Sequence, residues 1–253
     1  MLSFLQITII NPELMFLQRK KTVAMQRILT HIRWGYIYHT NGFVKAEKLQ
    51  DLIEKFSKNY KIDLKEHQRY YQKNKGNCNC FFTCYPTEKN GKKVFAWWLL
   101  ATKGAGIIKS KEQLKSAEIK NERVTWLDEY VVVKSPRKGK GKEPGYTWKM
   151  TDININLWLE RIRSSIRVKE DNSMLKQCLW SLKRVPGFRG NRENVKMFYN
   201  VIKNEIKRAK SKAWIVDDNE LKIGYIRALK NDFIDVSMAV ENIKSGRKLD
   251  FQL

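Results

Sequence analysis

Histidine, cysteine and acidic residues are scarce in this chain, and each shortage closes off a class of function. Its three histidines, His31, His39 and His67, stand far apart, so no paired-histidine metal motif is present. Four cysteines, Cys78, Cys80, Cys84 and Cys178, are too few to staple 253 residues, which points to a reduced, cytoplasmic setting. Cys78, Cys80 and Cys84, with His67 or Cys178 as a fourth ligand, lack the second knuckle of a structural zinc site. Their shared parity instead predicts a row of small thiols on one strand face, and neither metal nor cofactor is expected.

Long apolar runs are missing too. The most apolar stretch, Met1 to Leu17, is interrupted by Pro12 and Glu13 and followed by Arg19, Lys20 and Lys21. A membrane span needs about 20 uninterrupted apolar residues, and a secretory signal carries its positive charge first. No integral membrane association is expected. The segment 1–24 reads as a packed N-terminal strand, a peripheral membrane contact, or an extension upstream of a start at Met25.

Motifs of catalysis are equally sparse. There is no Gly-x₄-Gly-Lys loop, Gly-x-Ser-x-Gly elbow or His-Glu-x₂-His helix. Tyr71 and Lys75 have the spacing of nicking enzymes that attack a phosphodiester with tyrosine, but the accompanying histidine pair is absent. Asp128, Glu129 and Lys134 do not reproduce the Glu-x-Lys element of metal-dependent nucleases. No catalytic residue is assigned.

What the chain has in excess is positive charge: 50 Lys and Arg against 26 Asp and Glu, a net +24. A hydrophobic content of 42% with 11% aromatics predicts a folded core rather than a disordered basic tail. Self-repulsion opposes compaction at such a charge, so a polyanionic partner is implied. The excess is also uneven. Residues 134–150 carry six basic residues against Glu143 alone, and residues 183–212 carry ten against Glu193 and Glu205. Residues 111–133 and 213–253 each sum to −1.

Periodicity gives an α+β fold: a mixed or antiparallel sheet with two or three helices toward the N-terminus, then a helical part. A strand is predicted at Arg33 to Tyr38, with a turn at Thr40-Asn41-Gly42. A helix follows through Leu49, Ile53 and Phe56, and a second opens at Asp63. Cys78 to Tyr85 and Val94 to Thr102 read as a hairpin turning at Asn90-Gly91. Its second strand is apolar on both faces and therefore central. A short helix is expected around Lys111 to Glu118, then strands at Arg123 to Val133 and Tyr146 to Met150. Beyond Thr151, helical spacing recurs through Ile155–Ile166, Leu175–Leu182, the segment to Lys212 and Glu220 to Leu229, with Asp171 a candidate N-cap. The expected organisation is 1–24 as an extension, 25–150 as an α+β region and 151–253 as a helical region.

Two basic segments carry the functional expectation. On a helical wheel Arg192, Lys196, Lys203, Lys207 and Lys210 fall within about 60°, beside an apolar arc that includes Val195, Phe198, Tyr199 and Ile202. Arg137, Lys138, Lys140 and Lys142 sit in a glycine-containing loop between two strands, with Tyr146 and Trp148 just beyond as possible stacking surfaces. Ammonium groups repeated along a helix edge suit the phosphates of a nucleic acid, DNA rather than RNA, in replication, transfer or maintenance. The alternatives are a phosphodiester-cleaving or nicking nuclease using the same surface, or a scaffold subunit binding an acidic protein or anionic lipid.

Overall fold

The computed structural model describes residues 17–136, 144–167, 173–209, 224–226 and 234–245. The chain folds into two compact units, each assembled from separate segments. The first takes Met1–Ala24, Thr40–Leu114 and Asn231–Gln252; the second takes Met25–His39 and Lys115–Lys230. It is an α+β protein with antiparallel sheets and a helical C-terminal part.

In the first unit the hairpin β2 (Cys80–Lys89) and β3 (Lys92–Ala101) pairs from Cys80↔Ala101 to Lys89↔Lys92. Its turn residues Asn90 and Gly91 both have left-handed φ, 52° and 71°, the mirror-image turn that matches strand twist. β3 lies between β2 and β1 (Tyr38–Lys45), as its two apolar faces require. Pro86 does not end β2, because β2 is an edge strand of this sheet and needs no ladder donor there. Nor does Asn41-Gly42 end β1. A Cβ at Gly42 would come within 2.8 Å of the Trp97 ring, so the glycine serves a close approach rather than a turn.

Helix α2 (Leu49–Tyr60) buries Leu49, Ile53, Phe56 and Tyr60, and Phe56 meets Phe82 and Trp97 edge-on at 5.5 and 5.4 Å. Helix α3 (Glu66–Asn74) starts after Lys65, whose N–H donates to the Gln68 side chain, rather than at Asp63. Arg69 fastens α3 by donating to the carbonyls of Leu64, Cys80 and Ile62, each at 2.9 Å.

Where the sequence suggests a strand at Arg33–Tyr38, helix α1 (Lys21–Arg33) ends at Arg33, Trp34 and Gly35 form a turn with Gly35 at φ 94°, and β1 begins only at Tyr38. Met25, Ile28, Leu29 and Ile32 are buried at helical spacing in α1, and the left-handed Gly35 turns the chain out of that helix before the strand can start. The helix expected at Lys111–Glu118 is a single turn, α4 (Ile108–Lys111). Glu112 is already extended, and β4 (Lys115–Ser116) pairs with Tyr38 and His39.

The second unit is built on a three-stranded meander, β5 (Thr125–Trp126), β6 (Tyr130–Ser135) and β7 (Gly145–Met150). Leu127 and Asp128, with φ of 47° and 60°, turn β5 into β6. Trp126 and Trp148 are fully buried with rings 6.4 Å apart, and Trp148 Nε1 donates to the Met25 carbonyl at 2.9 Å. Helix α5 (Asp152–Arg167) follows β7 directly; the Thr151 hydroxyl accepts from the Asn154 N–H at 3.2 Å. Helices α6 (Ser173–Lys183) and α7 (Arg189–Arg208) both pack on α5, and α7 also covers β7. Helix α8 (Val236–Lys244), in the first unit, is capped by Asp235. Of the expected helix at Glu220–Leu229 only residues 224–226 are described, and these are not helical; the cap at Asp171 falls outside the described residues.

Candidate functional site

The basic helix edge and the basic loop both belong to the second unit, and α7 is the element that relates them. Its first residue, Arg189, lies between the two strands that carry the loop. The guanidinium donates to the carbonyls of Pro136 at 2.8 Å, Ser135 at 2.7 Å and Gly145 at 3.4 Å. A cation in a helix's first turn opposes the helix dipole, and three carbonyls offset that cost here. The contact closes the loop stem against the helix start.

Two glycine- and asparagine-dependent contacts hold α7 in place. Gly190 approaches β7 so closely that a Cβ would lie 2.5 Å from the Trp148 carbonyl. Its N–H donates to the Thr147 hydroxyl at 3.2 Å. One turn on, the buried Asn194 accepts from the Met150 N–H at 3.1 Å. Val195, Phe198, Tyr199 and Ile202 fill the core below.

With that face buried, the predicted cationic row faces outward, but its members divide. Lys196, Lys203 and Lys207 are exposed. Arg192 is half-buried and turned to its own chain: it donates to the Gly187 carbonyl at 2.8 Å and stacks over the Tyr225 ring at 3.8 Å. Glu205 does not neutralise the row, since it faces Arg163 at 4.0 Å and Arg208 at 3.4 Å. Among the described residues no carboxylate pairs with Lys196 or Lys207. Lys210, like Arg137, Lys138, Lys140 and Lys142, lies outside the described residues.

The loop stem uses cations structurally. Lys134 pairs with Glu118 at 3.2 Å and sits 5.4 Å from the Tyr146 ring centre; the Glu118 hydrogen bond, then Tyr146, holds its ammonium above the ordinary range. Arg33 donates to the Tyr146 carbonyl at 2.9 Å. Trp148 is part of the core, so it offers no stacking surface. Sequence reasoning passed over Trp180, half-exposed on α6 with the Arg184 guanidinium 3.4 Å from its ring centre. The i,i+4 spacing of the pair was the available signal.

The remaining candidates do not assemble into a reaction centre among the described residues. Tyr71 is an exposed residue of α3, and Asp128 occupies the β5–β6 turn, its carbonyl accepting from Thr151 at 2.6 Å. No group of three His, Cys, Asp or Glu is placed to hold a metal among the described residues. Cys84 is buried, its thiol pushed upward by desolvation, while Cys78 and Cys80 share a side-chain hydrogen bond. No described helix is long and apolar enough to cross a membrane. Comparison with known proteins returned no match among family profiles, curated proteins or solved structures.

Proposed function

We propose that the second unit binds a nucleic-acid phosphate backbone, DNA in preference to RNA, through the outer edge of α7 acting with the basic segment 134–142. The observation that carries this reading is the row Lys196, Lys203 and Lys207, exposed on a helix whose first residue closes the stem of the chain's other basic segment. Charges spaced along a helix edge meet successive phosphates without reading bases, so the expected mode is clamping with little sequence preference. Arg189 contributes by fixing the stem, while Lys196 and Lys207 keep their charge for a partner.

A gel-shift panel of single- and double-stranded DNA and RNA, with and without Mg²⁺, tests the proposal. Binding to DNA that weakens steeply with salt supports it, at a log–log slope near −0.9 per phosphate neutralised on duplex. A flat salt response, or no binding to any polymer, overturns it. Cleavage on adding metal replaces it with the nuclease reading, and capture by anionic vesicles instead of DNA replaces it with the lipid reading.

A further inference from the structure

The outer face of α6 combines an unburied indole with cations and no acid. Leu175, Cys178, Leu179 and Leu182 turn inward, which leaves Lys176, Trp180 and Lys183 on the other side within about 60° of arc, with Arg184 just past the helix end. Ser173–Lys183 contains no Asp or Glu. No carboxylate among the described residues pairs with Lys176, Lys183 or Arg184. Trp180 is 53% exposed although Arg184 already lies against its ring, 3.4 Å from the centre. The face therefore presents a half-exposed ring beside three cations that no described carboxylate pairs with.

We infer that this face is a second nucleic-acid contact that holds an unpaired base, stacked on the Trp180 indole with the Arg184 guanidinium, while Lys176 and Lys183 meet the flanking phosphates. The inference rests on the backbone-binding reading and adds a substrate class to it, single-stranded nucleic acid. A duplex hides its base faces, so only an unpaired base can use an exposed indole. An acidic peptide would satisfy the lysines and leave the ring without a role. Stacking on an aromatic is indifferent to base identity, which agrees with a clamp that does not read sequence.

The test compares one labelled single strand, its duplex, and a same-length strand of abasic sugars, at fixed salt, against the full chain and two variants. Trp180→Leu is expected to weaken single-strand binding at least about fivefold, the low end for one lost base stack, with duplex binding unchanged. Trp180→Phe should retain most of the affinity. The unmodified protein should discriminate against the abasic strand by a similar factor, a measurement that does not depend on how any variant folds. Equal binding of abasic and normal strands, or a Trp180→Leu protein as good as the original on single strand, overturns the inference. Duplex binding without single-strand binding overturns it and leaves the backbone reading intact. Loss of both polymers in the unmodified protein removes that reading as well.

Discussion

Replacing Lys196 and Lys207 with glutamine removes two ammonium groups from α7 with little effect on the fold, because both are exposed and neither pairs with a described carboxylate. The two positions are separated by 11 residues, about 16 Å along the helix, so they meet different phosphates. Each phosphate contact on duplex DNA contributes about 0.9 to the log–log salt slope, and the double variant should therefore be shallower by up to about 1.8. Between 50 and 200 mM salt, those two contacts account for about a 12-fold fall in affinity that the variant should not show. Stability should stay within about 0.5 kcal/mol, since surface exchanges of this kind touch no packing.

Fluorescence anisotropy across a salt series measures the slope, and a denaturant melt checks the fold. Arg192→Gln is the matched contrast: it removes one charge from the same wheel position but breaks the Gly187 hydrogen bond and the Tyr225 stack. That variant should lose about 1 kcal/mol of stability and leave the slope nearly unchanged. A double lysine variant whose slope equals the original refutes the clamp, whatever the absolute affinity.

Other expectations follow from single contacts. Arg189→Ala frees the carbonyls of Ser135, Pro136 and Gly145 and should cost about 1.5–3 kcal/mol in a denaturant titration. Gly190→Ala drives a methyl to within 2.5 Å of the Trp148 carbonyl and should lower the melting temperature, with overpacking worth about 1–3 kcal/mol. His39 is held neutral, its pKa lowered from 6.5 to about 4 chiefly by burial, with Lys115 adding and the Glu122 carbonyl opposing. The unfolded chain takes up a proton below its ordinary pKa and the folded chain does not, so stability falls as pH drops from 6.5 through 4. The loss reaches about 3 kcal/mol, and a His39→Gln protein should show correspondingly less pH dependence over that window. Cys78, hydrogen-bonded by Cys80, has its pKa lowered to about 7; iodoacetamide should label it before the other cysteines, at a rate rising through neutral pH.

What could be read from the chain, and what could not, divides by the range of the deciding interaction. The Asn90-Gly91 hairpin, the central β3 and helices α5 to α7 rest on local turn chemistry and periodicity, and each was legible. β4 exists because Lys115 and Ser116 meet His39 and Tyr38 far back in the chain, a pairing no local window contains. Gly42 looked like a turn for the same reason: its close contact, the Trp97 ring, is distant in sequence.

The site divides along a chemical line instead. Helical spacing put Arg192, Lys196, Lys203 and Lys207 on one edge, but spacing treats all cations alike. A guanidinium is a planar fork with several donors and is less strongly hydrated than an ammonium, so it suits clusters of backbone carbonyls. Arg69, Arg189, Arg33 and Arg192 all donate to backbone carbonyls. An ammonium is a compact, well-hydrated point charge on a flexible stem and loses more by leaving water. Lys196 and Lys207 accordingly remain at the surface. For the described part of this chain, the charge available to a polyanion is therefore better gauged by its exposed lysines than by the formal net charge, and of the four described wheel cations Arg192 belongs to the fold rather than to the partner.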